Sequence, residues 1–235
     1  MTQFVYLVRP GEANRQLKYS LRSLERNAAD SEIIIAGYKP RWVKGVEHIP
    51  VPQPVQHHRN QVKILKEVVK AELPRGENFI LMNDDFFALQ PIKSEPELIY
   101  SGTLDDLAER PAWRSGFYGE SLENTKNILY RKGIQSNLAF DGVHRPMPLN
   151  QVVLGEVLKA AGDTDVQHRS LYGNVVHERG LAPWTPATEG SDAKIRVPRK
   201  RLPDGDWISS SRLAWGSTVQ RLIHALYPNK SRYEV

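Results

Sequence analysis

Three short apolar runs, each bounded by polar or turn residues, constrain the fold of this chain more than any other feature. Residues 4–8 read Phe-Val-Tyr-Leu-Val, residues 33–35 Ile-Ile-Ile, and residues 79–82 Phe-Ile-Leu-Met. Runs that stay apolar instead of alternating belong to strands covered on both faces, as in parallel sheets. Between them the spacing turns helical. Leu17, Leu21, Leu24 and Ala28 share one face, with Arg15, Lys18, Arg22 and Glu25 on others, which predicts an amphipathic helix over 15–28 with Asn14 as N-cap. Val62, Leu65, Val69 and Leu73 predict a second over 57–73, after a short strand at 46–49. Strand–helix–strand–helix–strand order with central apolar strands argues a Rossmann-like, mostly parallel α/β sheet flanked by helices, in a single domain.

Later in the chain the pattern weakens. Helices are expected near 104–110, 120–132 and 149–161, and a strand near 135–141. Residues 180–206 read as loop, followed by a strand at Trp207-Ile208-Ser209 and a helix over 215–227.

In parallel sheets ligands bind outside the carboxyl ends of the strands. The loop Arg9-Pro10-Gly11-Glu12-Ala13-Asn14, the turn Gly37-Tyr38-Lys39 and the triplet Asn83-Asp84-Asp85 all fall there. Two adjacent carboxylates repel each other unless a cation or solvent relieves them. A hard divalent ion, Mg²⁺ or Mn²⁺, takes one or two carboxylates plus phosphate oxygens and would neutralise a departing diphosphate. The other reading of the triplet is a solvated turn or a helix cap. Arg9, with Arg15 and Arg22 on the next helix, offers positive charge to a phosphate; for Arg22 the plainer alternative is an ordinary surface charge. The first loop has neither a dinucleotide fingerprint nor a P-loop pattern.

Composition removes other chemistries. There is no cysteine among the 235 residues, so disulfides, thiolate metal sites and cysteine nucleophiles are excluded, and metal binding must use oxygen or imidazole. The seven histidines form no H-E-x-x-H or H-x-H pattern, and His144 lies in the constrained loop Asp141-Gly142-Val143-His144-Arg145-Pro146-Met147-Pro148. A 40% hydrophobic, 25% charged chain is not a disordered one. No apolar run approaches the roughly 20 residues of a membrane span, and the first run lacks signal-peptide features. The expectation is a soluble, cytoplasmic protein without membrane insertion, of open oligomeric state. Lys+Arg exceed Asp+Glu by 32 to 27, a net charge of +5. Lys194, Arg196, Arg199, Lys200 and Arg201, in an acid-free stretch, equal that whole excess. Such a strip suits contacts to nucleic-acid phosphates; a solvated loop is the alternative.

Several blocks together resemble a known family. Gln16-Leu17-Lys18-Tyr19-Ser20-Leu21-Arg22-Ser23-Leu24, the 79–87 block around Asn83-Asp84-Asp85, His144-Arg145-Pro146-Met147-Pro148 and the closing Tyr227-Pro228-Asn229-Lys230-Ser231-Arg232-Tyr233-Glu234 resemble motifs of Stealth-type sugar-phosphate transferases. The opening residues 5–24, residues 37–50 and Leu171-Tyr172-Gly173-Asn174 are similar to glycosyltransferase-like proteins of actinobacterial phages. Both families are similar to the GT-A fold, which binds nucleotide-sugars. The resemblance implies a nucleotide-sugar-binding half (1–100) and an acceptor-side half (101–235) carrying the basic loop and a C-terminal helix. It implies Asp85 and Asp84 on the metal, with Val8, Arg9, Gly11, Asn14, Gly37 and Tyr38 on the donor and Arg22 and Asn83 nearby. His144 would lie near the sugar or acceptor, and a base for an inverting reaction would come from Asp141, His144 or Asp163. Two departures stand out: Gln16 and Lys18 replace a Glu and an Arg, and Ser209-Ser210-Ser211 occupies the place of a second Asn-Asp block. Loss of those acids favours glycosyl transfer over sugar-1-phosphate transfer. The acceptor implied is a modified base in phage DNA, a virion protein or a host glycan, in the host cytoplasm. A non-catalytic nucleic-acid or carbohydrate-binding module is the reading from a different class.

Overall fold

The computed structural model describes residues 2–53, 57–182, 184–186, 194–195, 207–210 and 218–235. Its centre is a five-stranded sheet in the order β3-β2-β1-β4-β7. Strands β1 (Gln3–Val8), β2 (Glu32–Gly37), β3 (Glu47–Pro50) and β4 (Asn78–Asn83) are parallel, and β7 (Met147–Asn150) runs antiparallel along β4. The three apolar runs thus form the three central strands, and the expected mixed α/β class with a mostly parallel sheet and flanking helices is what the chain adopts. Helices α1 (Arg15–Asn27) and α2 (His57–Lys70) make the crossovers.

Strand β1 shows why its run is continuous. Val5 and Leu7 pack into the core layer built with α2, α4 (Gly116–Arg131), α5 (Gln151–Ala161) and α6 (His168–Glu178). Phe4, Tyr6 and Val8 point to the other side, against Leu17, Leu21 and Leu24 of α1. Both faces are covered, so period-two alternation of polarity has no role in this strand.

The second half of the chain is built into the first. Strand β7 completes the central sheet, and β10 (Trp207–Ser210) pairs with β5 (Phe86–Ala88) directly after the Asp84-Asp85 turn. Two residues of β9 (Lys194–Ile195) extend that small sheet, while β6 (Leu98–Tyr100) pairs with β8 (Trp184–Pro186). A short helix α3 (Leu104–Ala108) and a 3₁₀ turn (Pro111–Trp113) precede α4, and α7 (Thr218–Leu226) packs beside β5. The last residues lie against the 42–44 segment: the Val235 amide donates to the Trp42 carbonyl (3.0 Å) and the Lys44 amide to that of Tyr233 (2.9 Å).

Several expectations need correction, among them the loop read at 180–206, which holds the short strands β8 and β9. The strand near 135–141 is irregular chain, joined to Thr103 by one isolated bridge at Leu138. The strand instead lies in the proline-rich stretch at 147–150, where an edge position tolerates Pro148 because no ladder amide is required of it. Helix α6 was not anticipated; the run His168-Arg169-Ser170 with Tyr172-Gly173-Asn174 carries too little amphipathic contrast, since it is buried on all sides. Among the described residues no helix is long and apolar enough to cross a membrane.

Candidate functional site at the carboxyl edge of the sheet

The first loop is tied to the second by side chains. Tyr38 donates from its hydroxyl to the Glu12 carboxylate, the Arg41 amide donates to the same group (2.8 Å), and Trp42 Nε1 donates to the Glu12 carbonyl (2.8 Å). The Tyr38 bond, backed by the Arg41 amide, holds the Glu12 carboxyl below its ordinary range. Val8 is fully buried, and its carbonyl accepts from the Tyr38 amide (2.9 Å) and from Gln53 Nε2 (2.7 Å). Gly37 makes this closeness possible. Its φ is +106°, and a Cβ there would lie 2.4 Å from the Val8 carbonyl oxygen. Gly11, by contrast, has open space around it.

Asp84 stands between this loop and β4. Its Oδ2 accepts from Asn14 Nδ2 (3.0 Å) and lies 4.0 Å from Arg9 Nε. Asn14 also caps α1, its Oδ1 accepting from the Leu17 amide, so one side chain starts the helix and orients the acid. Helix α1 in turn fixes the segment that follows the acid pair. Ser20 Oγ bonds Tyr6 (2.7 Å) and donates to the Phe86 carbonyl, Ser23 Oγ accepts from the Ala88 amide (3.0 Å), and Asn27 donates to the Ala88 carbonyl (3.0 Å). Ser20, Ser23 and Asn27 are therefore a row of pins behind the Asp84-Asp85 turn.

The other side of the turn meets α6, which organises residues 136–145. Asn174 accepts from the Leu138 amide (2.7 Å) and from Ser136 Oγ, and donates to the Leu138 carbonyl (2.8 Å). Gly173 leaves room for the Phe140 ring, whose Cδ2 would be 2.4 Å from an added Cβ. Gln167 makes no side-chain cap bond to α6; Asp141 supplies it from the loop, its Oδ2 accepting from the Ser170 amide (2.7 Å).

Beside that cap lies a group the sequence reading missed. Arg169 is 8% exposed and donates through Nη1 to the Arg145 carbonyl (2.8 Å), while Nη2 is buried with no hydrogen-bond partner. Burial pulls its pKa below the usual arginine value, and the charges of Asp141 and Asp85 oppose that shift. Its guanidinium also lies 5.7 Å from the Phe86 ring centroid. A buried cation is tolerated where anions compensate it. The fold thus brings Asp85 from the first half and Asp141 from the second into the field of one arginine. No local motif marks Arg169; its role depends on where α6 docks.

Other candidates are placed differently. Arg22 makes a two-pronged pair with Glu234 (Nε–Oε1 2.6 Å, Nη2–Oε2 2.9 Å) and donates to the Tyr227 (3.1 Å) and Pro228 (3.2 Å) carbonyls. Its guanidinium is engaged with the C-terminal segment, not with the Asp84-Asp85 turn, because the closing residues fold back along α1. Asp163 is a fully exposed carboxylate paired with Lys66 of α2 (3.0 Å), on the outer α2–α5 surface. Asn83 ends β4 opposite Leu7, and His144 sits half-buried in the loop whose Arg145 carbonyl receives Arg169. Of the basic strip, Lys194 belongs to β9, and Arg196, Arg199, Lys200 and Arg201 lie outside the described residues.

The donor chemistry of Asp84 and Asp85 fits a hard divalent cation. Both contacts to Asp84 fall on Oδ2, and among the described residues no group of three or more His, Asp or Glu is gathered as a complete cage. Such an ion would draw its remaining ligands from water and donor phosphates, as Mg²⁺ sites commonly do.

No protein-family model and no curated protein sequence matches the chain. Among solved structures, a galactosyltransferase, LgtC, in complex with donor and acceptor sugar analogs, is similar over 98% of this chain and 96% of its own, with 11% identity and a TM-score of 0.49. A likeness of that degree assigns neither residues nor substrates.

Proposed function

We propose that the chain is a nucleotide-sugar-dependent glycosyltransferase, with its donor site at the carboxyl edge of the central sheet. One observation carries this reading. The Arg9–Asn14 loop, the Gly37-Tyr38 turn, the Asp84-Asp85 pair and the Asp141–Arg145 loop converge on that edge, joined by Asn14 on one flank and Arg169 on the other. Arg9, Gly11, Asn14 and Tyr38 would cradle the nucleoside, on loops whose approach is set by buried Val8 and Gly37. Asp84 and Asp85 would hold Mn²⁺ or Mg²⁺, which when bound supplies positive charge for the diphosphate leaving group. Arg9 adds a second cation beside Asp84. For an inverting reaction the base must lie within reach of the acceptor hydroxyl. Asp141 and His144, on the loop facing Asp85, suit that role better than Asp163 on the outer surface. The resemblance to Stealth-type and phage proteins noted in the sequence supports the same donor class.

A second reading, sugar-1-phosphate transfer, is favoured by Arg169 alone, whose charge is felt at Asp85 and whose Nη2 has no hydrogen-bond partner in the protein. A thermal-shift screen of nucleoside diphosphates and nucleotide-sugars, with and without Mn²⁺, tests the proposal. Saturating ligand at 100 times its Kd stabilises by about 2.7 kcal/mol, or roughly 5–11 °C for a chain of this size. The expected result is such a shift for one nucleotide only with metal, abolished in Asp85→Asn. No response to any nucleotide would overturn it. Release of nucleoside diphosphate or monophosphate during turnover separates glycosyl from phosphosugar transfer.

A further inference from the structure

A cluster of three aromatic side chains flanks the Asp141 loop and has no part in the donor site. The Trp113 and Tyr118 rings lie 4.8 Å apart at 50°, and Phe117 lies 5.8 Å from Tyr118, edge to face. All three are half-buried, at the junction of the 3₁₀ turn and α4. Gly116, at φ +61°, and Gly119, packed on the Arg114 backbone, let this junction turn tightly enough to bring the rings together.

The cluster is held beside the catalytic edge. A Cβ on Gly142 would meet Ser101 Oγ at 2.4 Å and lie 3.7 Å from Arg110 Nη1, so Gly142 lies against residues 101–110, and the Trp113 amide donates to the Arg110 carbonyl (2.8 Å). Burial raises the pKa of the Tyr118 hydroxyl, and the Asp141 charge adds to that shift. Trp113 packs one side against the main core, and all three rings keep part of their surface open. Rings left half-open next to a carboxylate are suited to a ligand with one apolar face and a hydroxylated edge.

Charge decides what kind of ligand. Residues 101–126 carry Asp105, Asp106, Glu109, Glu120 and Glu123 against Arg110, Arg114 and Lys126, a local balance of −2 in a chain of +5. Arg114 is tied to Glu109, and Lys126 to Asp105 and Glu123. A DNA acceptor, with one negative charge per roughly 1.7 Å of duplex, would meet repulsion here. A neutral sugar would not: its C–H face packs on an aromatic ring while its hydroxyls donate to a carboxylate.

We infer that Trp113, Phe117 and Tyr118, with Asp141, form an acceptor subsite for an uncharged carbohydrate. This rests on the glycosyltransferase reading for its role, but the binding itself is separately measurable. Saturation-transfer NMR and calorimetry on the full chain would use methyl glycosides of common hexoses, their disaccharides and an oligothymidylate as probes, in parallel with the nucleotide thermal-shift screen.

The expected result is binding of one neutral sugar, weakened about tenfold or more in Trp113→Ala and measurably in Tyr118→Phe, with the nucleotide response unchanged. Tyr118→Phe keeps the ring and the packing, so it reports even if Trp113→Ala unfolds. Sugar binding without any nucleotide response would sustain this subsite while removing the glycosyltransferase reading. Unaltered sugar affinity in both variants, or no sugar binding by wild type, would overturn it. So would oligothymidylate binding lost in Trp113→Ala without sugar binding.

Discussion

Replacing Glu234 by Gln should destabilise the protein far more than loss of an exposed ion pair. The Glu234 side chain is only 2% exposed and that of Arg22 10%. Arg22 reaches both carboxylate oxygens, and the Ser231 amide donates to Oε1 as well (2.9 Å). Exposed pairs are worth about 0–1 kcal/mol. Removing one partner of a buried pair costs about 3–5 kcal/mol, because the remaining charge stays desolvated and unpaired. At about 2–4 °C per kcal/mol for a chain of this length, the melting temperature of Glu234→Gln should fall by roughly 6–20 °C. Thermal unfolding at neutral pH followed by circular dichroism measures it. A loss below about 1 kcal/mol would refute the reasoning. Acid titration gives an independent check. Burial alone would raise the Glu234 carboxyl, but the Arg22 and Ser231 bonds outweigh it and hold the pKa below its ordinary 4.5. A depressed carboxylate stabilises fully above the unfolded value and loses that contribution as pH falls through the folded one. Wild type should therefore lose its advantage over Glu234→Gln progressively below about pH 4.5. The same variants place Arg22. If it serves only the C-terminal clamp, Arg22→Ala and Glu234→Gln lose stability together and both keep the nucleotide response. If it binds donor, Arg22→Ala alone loses that response.

Three other substitutions probe the site. Gly37→Ala forces a Cβ into the Val8 carbonyl oxygen at positive φ and should cost about 1–3 kcal/mol or more; wild-type stability in urea would contradict the close approach. Asn174→Ala leaves the Leu138 amide and carbonyl unpartnered and should cost about 3 kcal/mol, with faster amide exchange across 136–141 as its signature. Arg169→Lys keeps the charge in the field of Asp85 and Asp141 but not the planar fork that donates to the Arg145 carbonyl. Turnover of the nucleotide-sugar found by screening should drop at least about tenfold with a smaller change in melting temperature, and unchanged turnover would remove Arg169 from the site.

Much of the first hundred residues could be read directly. Continuous apolar runs at 4–8, 33–35 and 79–82 specify doubly covered strands because local composition alone reports that both faces are dry. Helix α1 announced itself through Leu17, Leu21 and Leu24, and Asn14 through its capping chemistry. The converging loops followed from the rule that links parallel strands to their carboxyl-end loops. Asp84 and Asp85 were visible for the same reason.

The second half was less legible because its elements are defined by what they touch. Pro148 reads as loop until β4 offers an edge that needs no amide from it. Helix α6 is buried around its whole circumference, so its sequence shows no polar face to set a period. Arg22, Asp163 and Arg169 illustrate the same limit in charge. By residue type all three are equally plausible site members. The closing residues 227–234 draw Arg22 to the C-terminal segment, the α2–α5 packing sets Asp163 outside, and the docking of α6 carries Arg169 into the field of Asp85 and Asp141. Sequence alone determined which strands are central and which loops end at their carboxyl edge, since burial pattern and strand direction are local properties. Which charges meet there was decided only by tertiary structure, because Coulomb interactions depend on separation in space and not along the chain.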